Sequence, residues 1–418
     1  MGSAVAGAVW RWLVYGDWLA QAVLCVAVGL LLRDLLAAWY RLGHEQTAQC
    51  FAPISILKPV HGLEPAADRA FRSWCGLDYP GEWELIFVCE DEEQPLYGLM
   101  AALAGEFPRR VRLVLSGPNL DAGVNGKSHN LAAAARVARH GLLLISDSDT
   151  LADAQVLRRF TALLDERTGA VSATPRVVLA EGLPARLEQL LVNHLLAPFE
   201  FALARLRGAH GLWGTLLLVR RRCVASAGGF TTLGRVLCED VALERAVRRQ
   251  GWRCAVVRRP VDVMAAPLGW RELLRHWHRW LVGLRRMKPR EYGCMALILL
   301  GWLPPFAALC SLCSRPPATN QRLIALALFA AAAVASPLIT AAAGIGNRDS
   351  AVAAPLLPLA FAVLFAAYLW SMISPTVVWR GRRLRVGSGG RIETDSASAD
   401  AVPGQPAVTA SVAKHVRR

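Results

Sequence analysis

At 418 residues the chain can hold one sizeable globular domain with further elements around it, and 54% of it is hydrophobic. A net charge of +15 rests on 47 basic residues, only four of them lysine. No zinc-finger spacing or RNA-binding signature goes with that charge, so anionic lipid headgroups and nucleotide phosphates are the expected partners, not nucleic acid. The ten cysteines have no framework spacing, and Cys310 and Cys313 lie within an apolar run, where membrane packing is a better account than metal or redox chemistry.

The first element is an apolar stretch at residues 18–32. Arg33, Asp34 and further apolar residues follow it in place of a small-residue cleavage site, which predicts an uncleaved anchor over 1–45. Residues 50–265 have ordinary globular composition. Short apolar runs at 54–57, Trp83–Cys89, Val111–Leu115 and 141–146 read as buried strands, and helical patterns at 66–74, 96–106, 130–139 and 154–164 lie between them. That alternation predicts an α/β domain, a mostly parallel sheet flanked by helices, with ligands at the carboxyl ends of the strands. Lys58, Asp91, Asp147 and Asp149 collect at those ends.

Asp147-Ser148-Asp149 follows a buried run. Two carboxylates spaced this way can share a divalent cation, Mg2+ or Mn2+, with a diphosphate, neutralising a leaving nucleotide. Asp91 is either part of a solvated acidic turn or a carboxylate for the base or ribose of a nucleotide. With lysine so rare, Lys58 and Lys127 at candidate pocket positions carry information. Lys127 lies in a Gly-containing turn before a helix expected at Asn130, either beside a phosphate or at the surface. Asp240, in Cys238-Glu239-Asp240, either caps a helix over 241–250 or serves as a general base.

Residues 266–292 are rich in Arg, His and Trp. In helical register Leu273, Leu274, Trp277, Leu281 and Leu284 make one apolar face flanked by cations, an interfacial amphipathic helix. Arg279 and Trp280 can also set a guanidinium and an indole against a diphosphate and an acceptor. Three apolar stretches at 293–312, 323–345 and 351–373 make a C-terminal membrane cluster over 293–375. Pro304-Pro305 interrupts the first, a candidate re-entrant segment. The positive-inside rule puts the central domain in the cytoplasm, at a bacterial inner membrane. Residues 376–418 read as a basic segment, with a disordered tail from Gly387.

Taken in order, these pieces resemble the ceramide glucosyltransferase family among the GT-A-fold glycosyltransferases, over about residues 55–385. The resemblance is carried by LKPVHGLEP at 57–65, LDYP at 77–80, the Asp91 turn, GKSHNL, DSD, AGGF at 227–230, CED, GWR at 251–253, HWHRW and SPTVVWRGRRLRV. It implies that Asp91 contacts uridine and that Asp147 and Asp149 hold metal and diphosphate. It also implies that Asp240 is the base and that Arg279 and Trp280 form the last motif, in which His276 stands where the family has Gln or Arg. The implied reaction is inverting transfer from a UDP-sugar, glucose first, to a ceramide-type lipid. A related branch that adds N-acetylglucosamine from UDP-GlcNAc to bacteriohopanetetrol, a hopanoid, is the alternative. A processive polysaccharide synthase and a non-enzymatic membrane protein are the more distant ones.

Overall fold

Ile56 and Leu57 are adjacent and both fully buried, yet they pack into different cores on opposite sides of a sheet. The same alternation splits Leu85 and Phe87 from Ile86 and Val88, and Leu142 and Leu144 from Leu143 and Ile145. Covering both faces makes continuous apolar runs out of what would otherwise be alternating strands. The computed structural model describes residues 17–44, 51–64, 66–207, 211–265, 269–313, 319–379 and 381–393.

The sheet comprises β1 (Ile54–Pro59), β2 (Trp83–Cys89), β3 (Val111–Leu115), β4 (Leu142–Ser146), β5 (Thr150–Leu151), β6 (Thr168–Val178), β7 (Leu216–Arg220) and β8 (Arg253–Met264), in the order β3-β2-β1-β4-β7-β6-β8-β5. β7 and the short β5 run against the rest, so the sheet is mixed but mostly parallel, as expected. One face is covered by α2 (Ala67–Ser73), α3 (Tyr97–Glu106) and α5 (Val156–Ala162), through Phe71, Met100 and Phe160. The other is covered by α4 (Gly126–Val137), α8 (Arg221–Ser226), α9 (Gly229–Leu233) and α10 (Glu239–Arg249), through Leu131, Phe230 and Leu243.

Two helix starts differ from expectation. α4 begins at Gly126, not Asn130, because the Asn125 side chain accepts the Ser128 amide at 2.7 Å and caps it there. α10 begins at Glu239, so both acids of the Glu239-Asp240 pair lie in its first turn and neither caps it.

Among the described residues four helical segments are long and apolar enough to cross a membrane, at Trp18–Arg41, Pro289–Cys313, Asn320–Ala342 and Ala354–Ile373. The first, α1 (Trp18–Leu42), packs on α14 (Asn320–Ala342). Asp17 caps α1 and also accepts from Thr319 and Arg322 at the start of α14. The expected first C-terminal stretch is two helices, α12 (Pro289–Leu300) and α13 (Leu303–Cys310), parted at Gly301-Trp302. Its two prolines sit in the first turn of α13, where a missing N–H leaves no bond unmade.

Between β6 and β7 run α6 (Leu183–Leu191), a π-helical turn at Val192–Leu196 and α7 (Ala197–Arg207). The basic segment forms α11 (Trp270–Met287), whose apolar face is spent on protein, not left to lipid. Leu273, Trp277 and Leu281 are buried with Leu187 and Leu190 of α6 and with Leu364 and Tyr368 of α16 (Leu357–Ile373). A short α15 (Arg348–Val352) precedes α16. After α16 the chain returns to the α/β domain as a small sheet of β9 (Thr376–Trp379), β10 (Arg382–Val386) and β11 (Ile392–Glu393). The tail expected to be disordered from Gly387 is therefore ordered up to Glu393, because Leu237 and Ile392 donate backbone hydrogen bonds across to Gly390 and Arg235. The rest of that tail, the anchor's first residues and Pro65 lie outside the described residues.

Candidate active site

A cavity of about 520 Å3 opens at the carboxyl ends of β4 and β6. Its polar part is walled by Glu64, Lys127, Asp147, Asp149, Glu239 and Asp240, and its far part by α7, α11 and α12. Of the residues singled out in the sequence, Lys127, Asp147, Asp149, Asp240, His276, Arg279 and Trp280 all line it, while Lys58 and Asp91 do not.

The Asp147–Asp149 loop is held from below. Lys58, with no exposed surface, donates to Ser146 Oγ at 3.1 Å and to the carbonyls of Asp147 and Thr150 at 2.6 and 3.4 Å. Lys58, expected at a nucleotide-sugar-binding pocket position, does not line the cavity: its ammonium is a strut under the acidic loop. Trp74 Nε1 adds a bond to the Thr150 carbonyl at 2.9 Å. Ser148 Oγ donates to Glu64 at 2.5 Å, bringing in an acid that the sequence did not single out. Asp91 stands at the end of β2, exposed, its carboxylate accepting the Glu93 amide at 3.0 Å in a solvated turn.

Lys127 joins the two acidic loops. Its Nζ lies 2.7 Å from Asp147 Oδ1 and 2.9 Å from Glu239 Oε1, and it donates to the Gly214 carbonyl at 3.1 Å. Burial pulls its pKa down, but the Asp147 and Glu239 charges outweigh burial and hold the ammonium above its ordinary value. Opposite it, Asp240 Oδ2 accepts the Gly214 amide at 3.1 Å and Oδ1 accepts the Val241 amide at 2.8 Å. A Cβ at Gly214 would stand 3.2 Å from Asp240 Oδ2, so a glycine lets the backbone reach the carboxylate. Burial, then the neighbouring Glu239, push the Asp240 carboxyl up to about 6, with Lys127 opposing.

Asp149 is half-buried, but its Oδ1 is itself buried and has no hydrogen-bond partner among the described residues. Burial raises its pKa to about 8, with Asp147 and Glu64 adding and the Lys58 ammonium beneath the loop opposing. An orphaned buried carboxylate oxygen beside a second carboxylate fits a divalent cation. Among the described residues no group of three or more His, Cys, Asp or Glu could hold one, so phosphate oxygens and water would complete the ligand set.

The far wall comes from α11. His276 Nδ1 meets Glu188 at 2.7 Å, and its ring stands edge-on to Trp280 at 5.1 Å. Trp280 lies 6.1 Å from Trp213. The Arg279 guanidinium sits 5.5 Å over the Trp379 ring, which also lines the cavity, so the small C-terminal sheet supplies part of the site. Two more groups on this wall were not singled out in the sequence. Lys288 pairs with Glu244 at 2.9 Å, and Glu200 takes a hydrogen bond from the Trp213 indole. Lysine scarcity is the one signal that could have marked Lys288, the third lysine on or beneath this cavity, while nothing local marks Glu200.

A mostly parallel sheet with paired acids and a half-buried carboxylate at its strand ends is the framework of a glycosyltransferase. The chain belongs to glycosyl transferase family 21, whose model matches residues 19–392. It is 22% identical over 399 residues to ceramide glucosyltransferase 1 of Caenorhabditis elegans, covering 90% of this chain and 81% of that protein. Ceramide glucosyltransferase 3 of the same organism is 23% identical over 252 residues, 58% of this chain and 53% of that one. Among solved structures, the Pyrobaculum calidifontis mannosyltransferase in complex with GDP-Man and Mn2+ superposes with a TM-score of 0.47 at 18% identity, covering 85% of this chain and 99% of that one. Glucosyl-3-phosphoglycerate synthase of Mycobacterium tuberculosis, with Mn2+, UDP and phosphoglyceric acid, gives 0.37 at 19% identity, over 56% of this chain and 78% of that one.

Proposed function

We propose that the protein is an inverting glycosyltransferase that moves glucose from UDP-glucose to the hydroxyl of a ceramide-type lipid. The observation that carries this reading is one cavity with two characters: Asp147, Asp149 and Asp240 at one end, and apolar side chains of α7, α11 and α12 at the other. The names of the C. elegans relatives support the sugar and the acceptor over the hopanoid alternative. The four long apolar helices support a multi-pass membrane protein, and the arginines of α11 support a cytoplasmic α/β domain.

In this reading Asp240, ionised, accepts the proton of the acceptor hydroxyl as its oxygen attacks the anomeric carbon. The carbon–phosphate-oxygen bond breaks on the opposite face, and its electron pair leaves on UDP. One base and one assisted leaving group suffice, with no enzyme nucleophile. Asp147 and Asp149 would hold a Mg2+ or Mn2+ ion, which when bound neutralises diphosphate charge. Lys127 keeps the metal-side loop and the base-side loop at fixed separation. Asp91 is the carboxylate available to the uridine, and His276, Arg279 and Trp280 face the diphosphate and acceptor.

The test offers purified full-length protein several UDP-sugars against ceramide, diacylglycerol and bacteriohopanetetrol, following UDP release and identifying lipid products by mass. A monohexosyl ceramide is expected, and Asp240→Asn retains UDP binding while losing turnover. Absence of UDP release with every pair refutes the reading.

A further inference from the structure

The apolar half of the cavity is built from two helical faces that share one pattern. Leu196 at the end of the π turn and Phe199, Glu200 and Leu203 on α7 follow the spacing i, i+3, i+4, i+7, which puts them on one face, and all four line the cavity. On α12, Glu291, Cys294, Met295 and Ile298 repeat the same spacing and line the same space. Each face is apolar except for a single glutamate.

The outer side of α12 is different. Leu297 and Leu300 are 70% and 48% exposed, and α12 opens a segment, Pro289–Cys313, that is long and apolar enough to cross a membrane. One helix therefore borders both the catalytic cavity and the surface turned toward hydrocarbon. A water-filled cavity gains nothing from a wall of Phe199, Leu203, Met295 and Ile298, whereas an alkyl chain is stabilised by each methylene it buries there.

Glu200 stands where this apolar part meets the polar one. Its carboxylate takes the Trp213 indole N–H, and Trp213 neighbours Trp280 of the site. Burial pushes its pKa up to about 7, with Lys288 opposing and Glu244 and Glu291 adding. Lys288 is already engaged with Glu244 at 2.9 Å. A desolvated carboxylate with one neutral donor has lone pairs left for a ligand.

We propose that the facing stripes of α7 and α12 seat the hydrocarbon chain of the acceptor, which enters from the membrane along α12, and that Glu200 accepts a hydrogen bond from the polar group of that acceptor. This rests on the lipid-transfer reading above and adds to it where the chain lies and which residue reads the headgroup.

A long-chain ceramide carrying a diazirine midway along its acyl chain, reconstituted with the full chain in nanodiscs, is photolysed and the labelled peptides are sequenced. Labelling within 196–203 and 291–298 that unlabelled ceramide competes away is expected. Labelling confined to the outer surfaces of the apolar helices overturns the proposal. This readout needs no turnover, so a chain labelled at these faces that transfers no sugar refutes the proposed reaction and leaves the hydrocarbon site standing. Where turnover is measured, Leu203→Trp lowers the ratio of long-chain to short-chain ceramide use by tenfold or more, a ratio that a folding defect leaves unmoved. Glu200→Gln raises the acceptor KM about tenfold while the UDP-glucose KM holds. An unchanged chain-length ratio, or equal changes in the two KM values, overturns the corresponding part.

Discussion

Lys127 Nζ lies 2.7 Å from Asp147 Oδ1, and the same ammonium reaches Glu239 at 2.9 Å, so a single lysine ties the two acidic loops of the site together. Lys127→Met leaves two carboxylates facing each other without their shared cation. Lys127 is nearly buried but Asp147 is about one-third exposed, which places the expected loss at the low end of the cost of breaking a buried pair, about 3 kcal/mol. Thermal unfolding in detergent checks that figure. A UDP-sugar KM that rises in step separates the loop-bridging role from a loss of stability alone.

As the proposed base, Asp240 is expected to set the acid limb of the pH profile. A base works only when ionised, and burial with Glu239 nearby lifts this carboxyl up to about 6. The value of kcat/KM is therefore expected to be flat above that pH and to fall about tenfold per unit below it. Gly214→Ala, which crowds Asp240 Oδ2 and disturbs the amide donated to it, should lower kcat and shift the limb. A profile with no inflection between pH 5 and 7 assigns the base elsewhere.

The legible and illegible parts of this fold differ for physical reasons. β1 to β4 could be read because both their faces are covered, which leaves unbroken runs such as LLLIS. β6 could not, since Thr168–Val178 carries Ser172, Thr174, Pro175 and Arg176 within a strand, a composition that resembles a loop. Asp147, Asp149 and Asp240 were visible as acids at element ends. Glu200 and Lys288 were not, because the cavity wall is assembled from helices far apart in sequence and neither residue sits in a motif. The lining by Trp379 depends on a return of the chain after α16 that no local pattern announces.

That return gives a prediction of its own. The Arg279 guanidinium lies 5.5 Å over Trp379, and β9 is anchored by Val377, fully buried with Leu237 and Val282. Removing the ring takes from the Arg279 guanidinium, which lines the cavity, a contact worth about 1 kcal/mol. Trp379→Ala should raise the UDP-sugar KM about fivefold, whereas Trp379→Phe, which keeps a ring face, should recover most of the loss. Equal effects from both substitutions assign Trp379 to packing of the small sheet and not to holding Arg279.

His194 links the π turn to the helices beside it. Its Nδ1 meets Thr340 Oγ1 at 2.8 Å and its Nε2 meets Ser350 Oγ at 2.9 Å, while the adjacent Asn193 bonds both the amide and the carbonyl of Val177 on β6. Burial, with the Arg33 charge adding, holds the imidazole down at about 4, so the folded protein keeps it neutral. An unfolded chain takes up that proton below about pH 6.5, and the folded one only near 4. Stability is therefore complete above the upper value and declines as pH falls between the two, by up to roughly 3 kcal/mol. His194→Ala removes this pH dependence but leaves Thr340 and Ser350 short of a partner, so its unfolding temperature at neutral pH should be lower than that of the native chain. The two curves should converge toward pH 4. Parallel curves across that range place the titrating group elsewhere.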